Sequence, residues 1–149
     1  MKFNNNAPRE NYFQQNIAKF GQNFIRSKSV KDIQKDAKRR LFKDMVYGNI
    51  DYDEYGIYFT DPQFIDNLIV VAHTLQEEHA VIANGLRLMA GTGNAIASQL
   101  YVRHSNVAYV FSVIEYNLGM VKANNYDIRY LVNIVPATIQ CRNDFSEIY

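Results

Sequence analysis

The sequence predicts an α+β protein, mainly helical, with an N-terminal arm and helical body followed by a small C-terminal β-rich segment. Three observations carry this expectation. Apolar residues recur at three- and four-residue steps through much of the first hundred positions, which is the helical period. Gly48, Gly91, Gly93, Asn124 and Asn125 punctuate the pattern where helices end or chains turn. Beyond residue 105 the periodicity gives way to nearly continuous β-branched and aromatic runs. The 149 residues are 48% hydrophobic and 21% charged, which suits one core in one domain. The expected organisation is therefore a single domain over 1–149: a basic N-terminal arm and helix over 1–28, a helical body over 29–104 and a β-rich segment over 105–149.

Taken in order, residues 1–8 read as an irregular lead-in, since consecutive asparagines favour turns and Pro8 disfavours helix before it. Tyr12, Phe13, Ile17, Phe20 and Phe24 then mark an amphipathic helix over 9–26. Ser29 caps a second helix, with Asp32 three residues on. Val30, Ile33, Ala37, Leu41 and Met45 form its apolar stripe, and Gly48 supplies the positive-φ residue that ends it. Residues 49–59 read as a connection with a short extended piece over 56–59. Thr60, Asp61, Pro62 and Gln63 carry a helix-start signal, with Gln63 completing a box to Thr60. Phe64, Ile65, Leu68, Ile69, Ala72 and Leu75 follow on an inward face. That pattern either continues through Ala80, Val81, Ala83 and Leu86 to Met89 or breaks near Thr74, and the glycines at 91 and 93 end it. Ile96, Leu100 and His104 again have helical spacing. Residues 106–116 read as a buried strand, with a buried helix as the competing assignment, and residues 126–135 as a second β-rich stretch stopping at Pro136.

The chain offers few constellations for chemistry. His73 and Glu77 stand four apart on one helix, but neither His-Glu-x-x-His nor paired Glu-x-x-His is present, and a solvated turn of Gln76, Glu77, Glu78 and His79 on the outer face is the simpler reading. The glycines at 91 and 93 could cradle an anion at a helix start, yet the phosphate-loop spacing is missing and a cap with a turn is favoured. Cys141 is the one cysteine, which excludes an internal disulfide and a four-cysteine zinc site, and packing is its expected role. Asp51, Asp53, Glu54 and Asp61 do not have calcium-loop spacing. No catalytic residues, metal ligands or cofactors are expected, so the chain is read as not an enzyme. The longest charge-free stretch, 88–102, is too short and too polar for a membrane span, and no secretory signal opens the chain, so no membrane partner is expected.

Charge is the most informative feature. Residues 1–43 carry eleven Lys and Arg against three acids, a net +8, while residues 44–149 carry five against twelve, a net −7. A chain divided in this way can attract nucleic acid, can fold a solvated basic helix back on its own acidic body, or can set that helix on the acidic surface of a neighbouring copy. Head-to-tail contacts of the last kind generate rings or filaments. The candidate interface consists of Lys31, Lys35, Lys38, Arg39, Arg40 and Lys43 on the basic side. Asp51, Asp53 and Glu54 stand on the acidic side, with Tyr52 and Tyr55 as anchors.

The sequence also has 16 Asn, 11 Tyr and no Trp. With its basic arm, helices over 29–47 and 62–89, and β-rich tail over 106–139, it resembles in layout the head-to-tail connector or adaptor proteins that form rings beneath the portal of tailed bacteriophages. The resemblance implies a structural virion protein, assembled in the host cytoplasm, that bridges portal and tail. Its partners would be identical copies, the portal and other tail or virion proteins, with non-specific contact to DNA passing through the ring. The competing expectation is a small phage or bacterial regulator that binds nucleic acid or a host protein through the basic helix over 28–43.

Overall fold

Two long antiparallel helices joined by a three-residue turn organise the chain, and every other described element packs around one half of them. The computed structural model describes residues 30–56 and 58–149, with side chains from residue 39 onward except those of Glu54 and Thr60. The elements are α1 (Val30–Tyr47), α2 (Tyr52–Tyr55), a 3-10 turn (Tyr58–Thr60), α3 (Pro62–Gly91) and α4 (Ala95–Ala123). A second 3-10 turn (Ile128–Asn133), α5 (Ile134–Thr138), a third (Ile139–Cys141) and α6 (Arg142–Ile148) complete the chain. The helix expected over 9–26 and the Ser29 cap lie outside the described residues.

Local chemistry sets the boundaries. Gly48, at φ +75°, ends α1, and an added Cβ there would stand 3.1 Å from Val135. Asp61, rather than Thr60, caps α3: its carboxylate accepts from the Gln63 N–H at 2.9 Å, and Pro62 fills the first helical position, where its missing N–H is no loss. The helix then runs without a break through Thr74 to Gly91. The turn uses Gly93 at φ +89°, and Asn94 caps α4 by accepting from the Ala97 N–H at 2.9 Å.

The β-rich C-terminal segment expected from the sequence is absent. Among the described residues there is no strand, and 87% are helical. Residues 106–116 lie inside α4, where Val107, Val110, Phe111 and Ile114 are buried at helical spacing within what looked like a continuous apolar run. The run is continuous because α4 is covered on more than one side, by α3 and by the C-terminal elements, so residues flanking its main stripe are also apolar. Residues 126–135 form a turn, a 3-10 stretch and the start of α5. Pro136 sits in the first turn of α5, where proline is tolerated. Of the extended piece expected over 56–59, Gly56 lies in a turn and Tyr58 and Phe59 in a 3-10 turn with both rings buried against Phe64, while residue 57 lies outside the described residues.

The core is continuous. Leu41, Phe42, Met45 and Val46 of α1 meet Phe111, Ile114 and Leu118 of α4, with Leu131, Ile134 and Phe145 closing the C-terminal side and Ile65, Leu68 and Ala72 of α3 opposite. This core occupies the first half of α3 and the second half of α4. The other half of the hairpin, toward residues 91 and 95, buries only His79, Ala83 and Ala97.

Candidate functional site

Two features stand out: an uncovered apolar face on the outer half of the hairpin, and a buried histidine pair where that half joins the body. Val81 and Leu88 lie 11 and 18 residues beyond Val70, about three and five helical turns, so the three fall on one line. That line is turned away from α4, and Val81 and Leu88 are 69% and 83% exposed. Ile82 and Met89 form a second exposed line beside it. Gly85 lies between the two, and nothing stands within 4 Å of the position its Cβ would take. The set at 81, 82, 85, 88 and 89 has the i, i+1, i+4, i+7, i+8 spacing of a helix-packing stripe, and among the described residues no helix lies upon it. A glycine at the centre of an exposed helix costs about 1 kcal/mol relative to alanine, and it leaves room for close approach of another helix.

At the base of this half, His79 of α3 is 6% exposed. Its Nδ1 lies 2.9 Å from Nδ1 of His104 on α4, and its Nε2 lies 2.6 Å from the hydroxyl of Tyr149. Phe111 lies parallel to the His79 ring and Tyr149 stands nearly perpendicular to it. Burial, and then the neighbouring His104, holds His79 down at about 4, so it is neutral at pH 7. Burial pushes the Tyr149 phenol up to about 12, against the opposing pull of Arg39. Arg39 places its guanidinium 5.5 Å from the Tyr149 ring centroid, and Lys43 Nζ donates to Tyr149 O at 3.4 Å.

The residues expected to form an interface divide into groups. Arg39 and Lys43 turn onto Tyr149, and Arg40 is exposed on α1. The side chains of Lys31, Lys35, Lys38 and Glu54 lie outside the described residues. Asp51 accepts from the Asp53 N–H at 3.1 Å, which caps the short α2. Tyr52 and Tyr55 are half-buried against the core.

The histidine constellation divides as well. His73 is exposed and uses both ring nitrogens, at 3.2 Å to Glu77 and 3.2 Å to Glu115; the hydrogen bond with Glu115 and its charge raise the His73 pKa. The solvated-turn reading therefore describes Glu77 and Glu78 but not His79, which faces inward. One signal pointed there, since position 79 lies seven residues beyond the buried Ala72, on the same stripe. The pairing with His104 and Tyr149 is long-range and had no counterpart in sequence spacing. Among the described residues no group of three His, Cys, Asp or Glu side chains could hold a metal ion.

The remaining candidates offer little chemistry. The backbone N–H groups of Thr92, Gly93 and Asn94 are taken by carbonyls at the end of α3, so the glycine turn presents no anion cradle. Burial raises the Cys141 thiol above its ordinary range, the opposite of an activated nucleophile. A surface depression of about 330 Å³ is lined by Asp127, Arg129, Tyr130 and Asn133, but Arg129 already pairs with both Asp127 oxygens, at 2.9 and 2.7 Å. No helix among the described residues is long and apolar enough to cross a membrane. No family model, curated protein or solved structure matches the chain.

Proposed function

We propose that this chain is a non-enzymatic structural protein that works as an assembly of copies, and within that class a ring-forming subunit of a phage head-tail connector or tail. The observation that carries the reading is the stripe of Val81, Ile82, Gly85, Leu88 and Met89, an apolar helix face of the kind that marks interaction sites. A second copy is the occupant we assign to it, because the chain's +8 and −7 segments complement one another between copies. The virion assignment draws on the basic helix and the long helical body, and not on the β-rich tail, which the described residues do not form. The experiment is the solution mass by light scattering at low and moderate salt, for the wild type and for Val81→Glu with Leu88→Glu. A defined oligomer that the double substitution dissociates supports the reading. A wild-type monomer at both salts, with no affinity for portal-like partners, overturns it. In that event a DNA titration across salt tests the regulator alternative through the basic helix.

A further inference from the structure

We propose that the His104, His79 and Tyr149 side chains form a proton-controlled latch that fastens α6 and Tyr149 to the hairpin, and that opens when both histidines become imidazolium. The inference is independent of the assembly reading. It begins with the geometry of the two rings, whose centroids are 5.1 Å apart with planes within 21° of each other and Nδ1 atoms 2.9 Å apart. The centroid separation is the nitrogen distance plus about one ring radius at each end, so the rings meet edge to edge and nearly in line. This is a direct N–H···N hydrogen bond, in which one nitrogen donates and the other accepts.

Two neutral arrangements satisfy the chain. In one, the Tyr149 hydroxyl donates to His79 Nε2, and His79 Nδ1–H donates to His104 Nδ1. In the other, His104 Nδ1–H donates to His79 Nδ1, and His79 Nε2–H donates to the Tyr149 oxygen. The second arrangement leaves His104 Nε2 bare, and one extra proton there is tolerated because the imidazolium still donates to neutral His79. A second extra proton is not. It would set N–H against N–H at Nδ1, and the chain must part.

The surrounding charges work in the same direction. Arg39 and Lys43 face Tyr149 from α1, and burial, then the charge of Arg103 on α4, lowers the pKa of His104. Against these stand Glu78 of α3, near Tyr149, and Asp144 of α6, whose carboxylate lies 3.6 Å from Arg103 Nε and accepts from Asn106 at 2.7 Å. Parting the latch frees Tyr149 from its stack on Phe145 and its edge contact with Phe111. The α6 segment then rests on Phe145, the Asp144 contacts, the hydrogen bond between Tyr47 and Ser146, and Arg142 over the Tyr47 ring.

The test is amide hydrogen exchange over residues 142–149 of the full chain from pH 7 to pH 4, corrected for intrinsic exchange. Nitrogen chemical shifts of His79 and His104 are read in parallel. The expected result is a tenfold or greater loss of protection in this segment on acidification, following the histidine titration, while the buried centre of α4 stays protected. His104→Ala, at a half-buried position, removes the clash and should flatten the profile; His79→Phe should flatten it too. Tyr149→Phe should lower protection already at pH 7. A flat wild-type profile, or an equal acid loss in His104→Ala, overturns the proposal.

Discussion

The ring of Phe42 stands perpendicular to that of Phe111, with centroids 5.6 Å apart, and this edge-to-face contact joins α1 to the hairpin. Both rings are fully buried. Phe42→Ala and Phe111→Ala should each cost roughly 3–5 kcal/mol of unfolding free energy. A double-mutant cycle by chemical denaturation should show coupling of about 0.5–1.5 kcal/mol. Additive losses would mean that α1 is held by its other contacts.

Gly48→Ala should destabilise by about 1–2 kcal/mol, because the left-handed conformation disfavours a Cβ and Val135 is already close. Gly85→Ala should do the reverse, since its helix interior is open to an added methyl and alanine is the better helix former by about 1 kcal/mol. Thermal unfolding of the two variants decides both signs. If Gly85→Ala also weakens self-association, the glycine serves the interface rather than the helix.

Acidification should weaken the fold chiefly through His79. Its folded pKa lies near 4 against an ordinary 6.5, so the unfolded chain binds more protons between those values. The stability is fully present above about pH 6.5 and is lost as pH falls toward 4, a swing on the order of 3 kcal/mol. His73 has the opposite sign: its raised pKa adds stability below 6.5 that disappears as pH rises through its folded value, and exposure keeps that effect small. Urea midpoints across this range should fall with acid in the wild type. The slope should be shallower in His79→Gln than in His73→Gln.

Asn94→Ala should cost about 1 kcal/mol by leaving the Ala97 N–H without its cap. Because the hairpin turn lies far from the buried core, hydrogen exchange should show the loss first at the start of α4. Equal loosening throughout the molecule would indicate that the hairpin opens only with the whole fold.

Helices whose stripes are bounded by caps were legible in the sequence. α1 ends at Gly48, α3 starts at Pro62 and the glycine turn falls between α3 and α4, as the local chemistry requires. Residues 106–116 were not, because a helix covered on several sides loses the polar face that reveals its period; the buried set of Val107, Val110, Phe111 and Ile114 was visible only once α4 was seen to be surrounded. Pro136 misled for a related reason, since proline ends a helix from its interior but is harmless in its first turn. The period puts Val81 and Met89 on an inward face, whereas among the described residues only α4 accompanies the outer half of α3 and leaves both side chains exposed. The sequence places His79 in a polar turn, while its contacts to His104 and Tyr149 depend on how distant segments meet.

The three-residue turn between α3 and α4 also sets an order of assembly. Contacts across the hairpin close short loops near the turn and can form early, whereas the bond between Tyr47 and Ser146 spans 99 residues and must wait for α1 and α6 to dock. The hairpin is thus placed to act as the nucleus, and α6 as the last clasp to close and the first to open. Substitutions at the Phe145 end of the core should therefore mainly speed unfolding, while those along the facing stripes of α3 and α4 should slow folding.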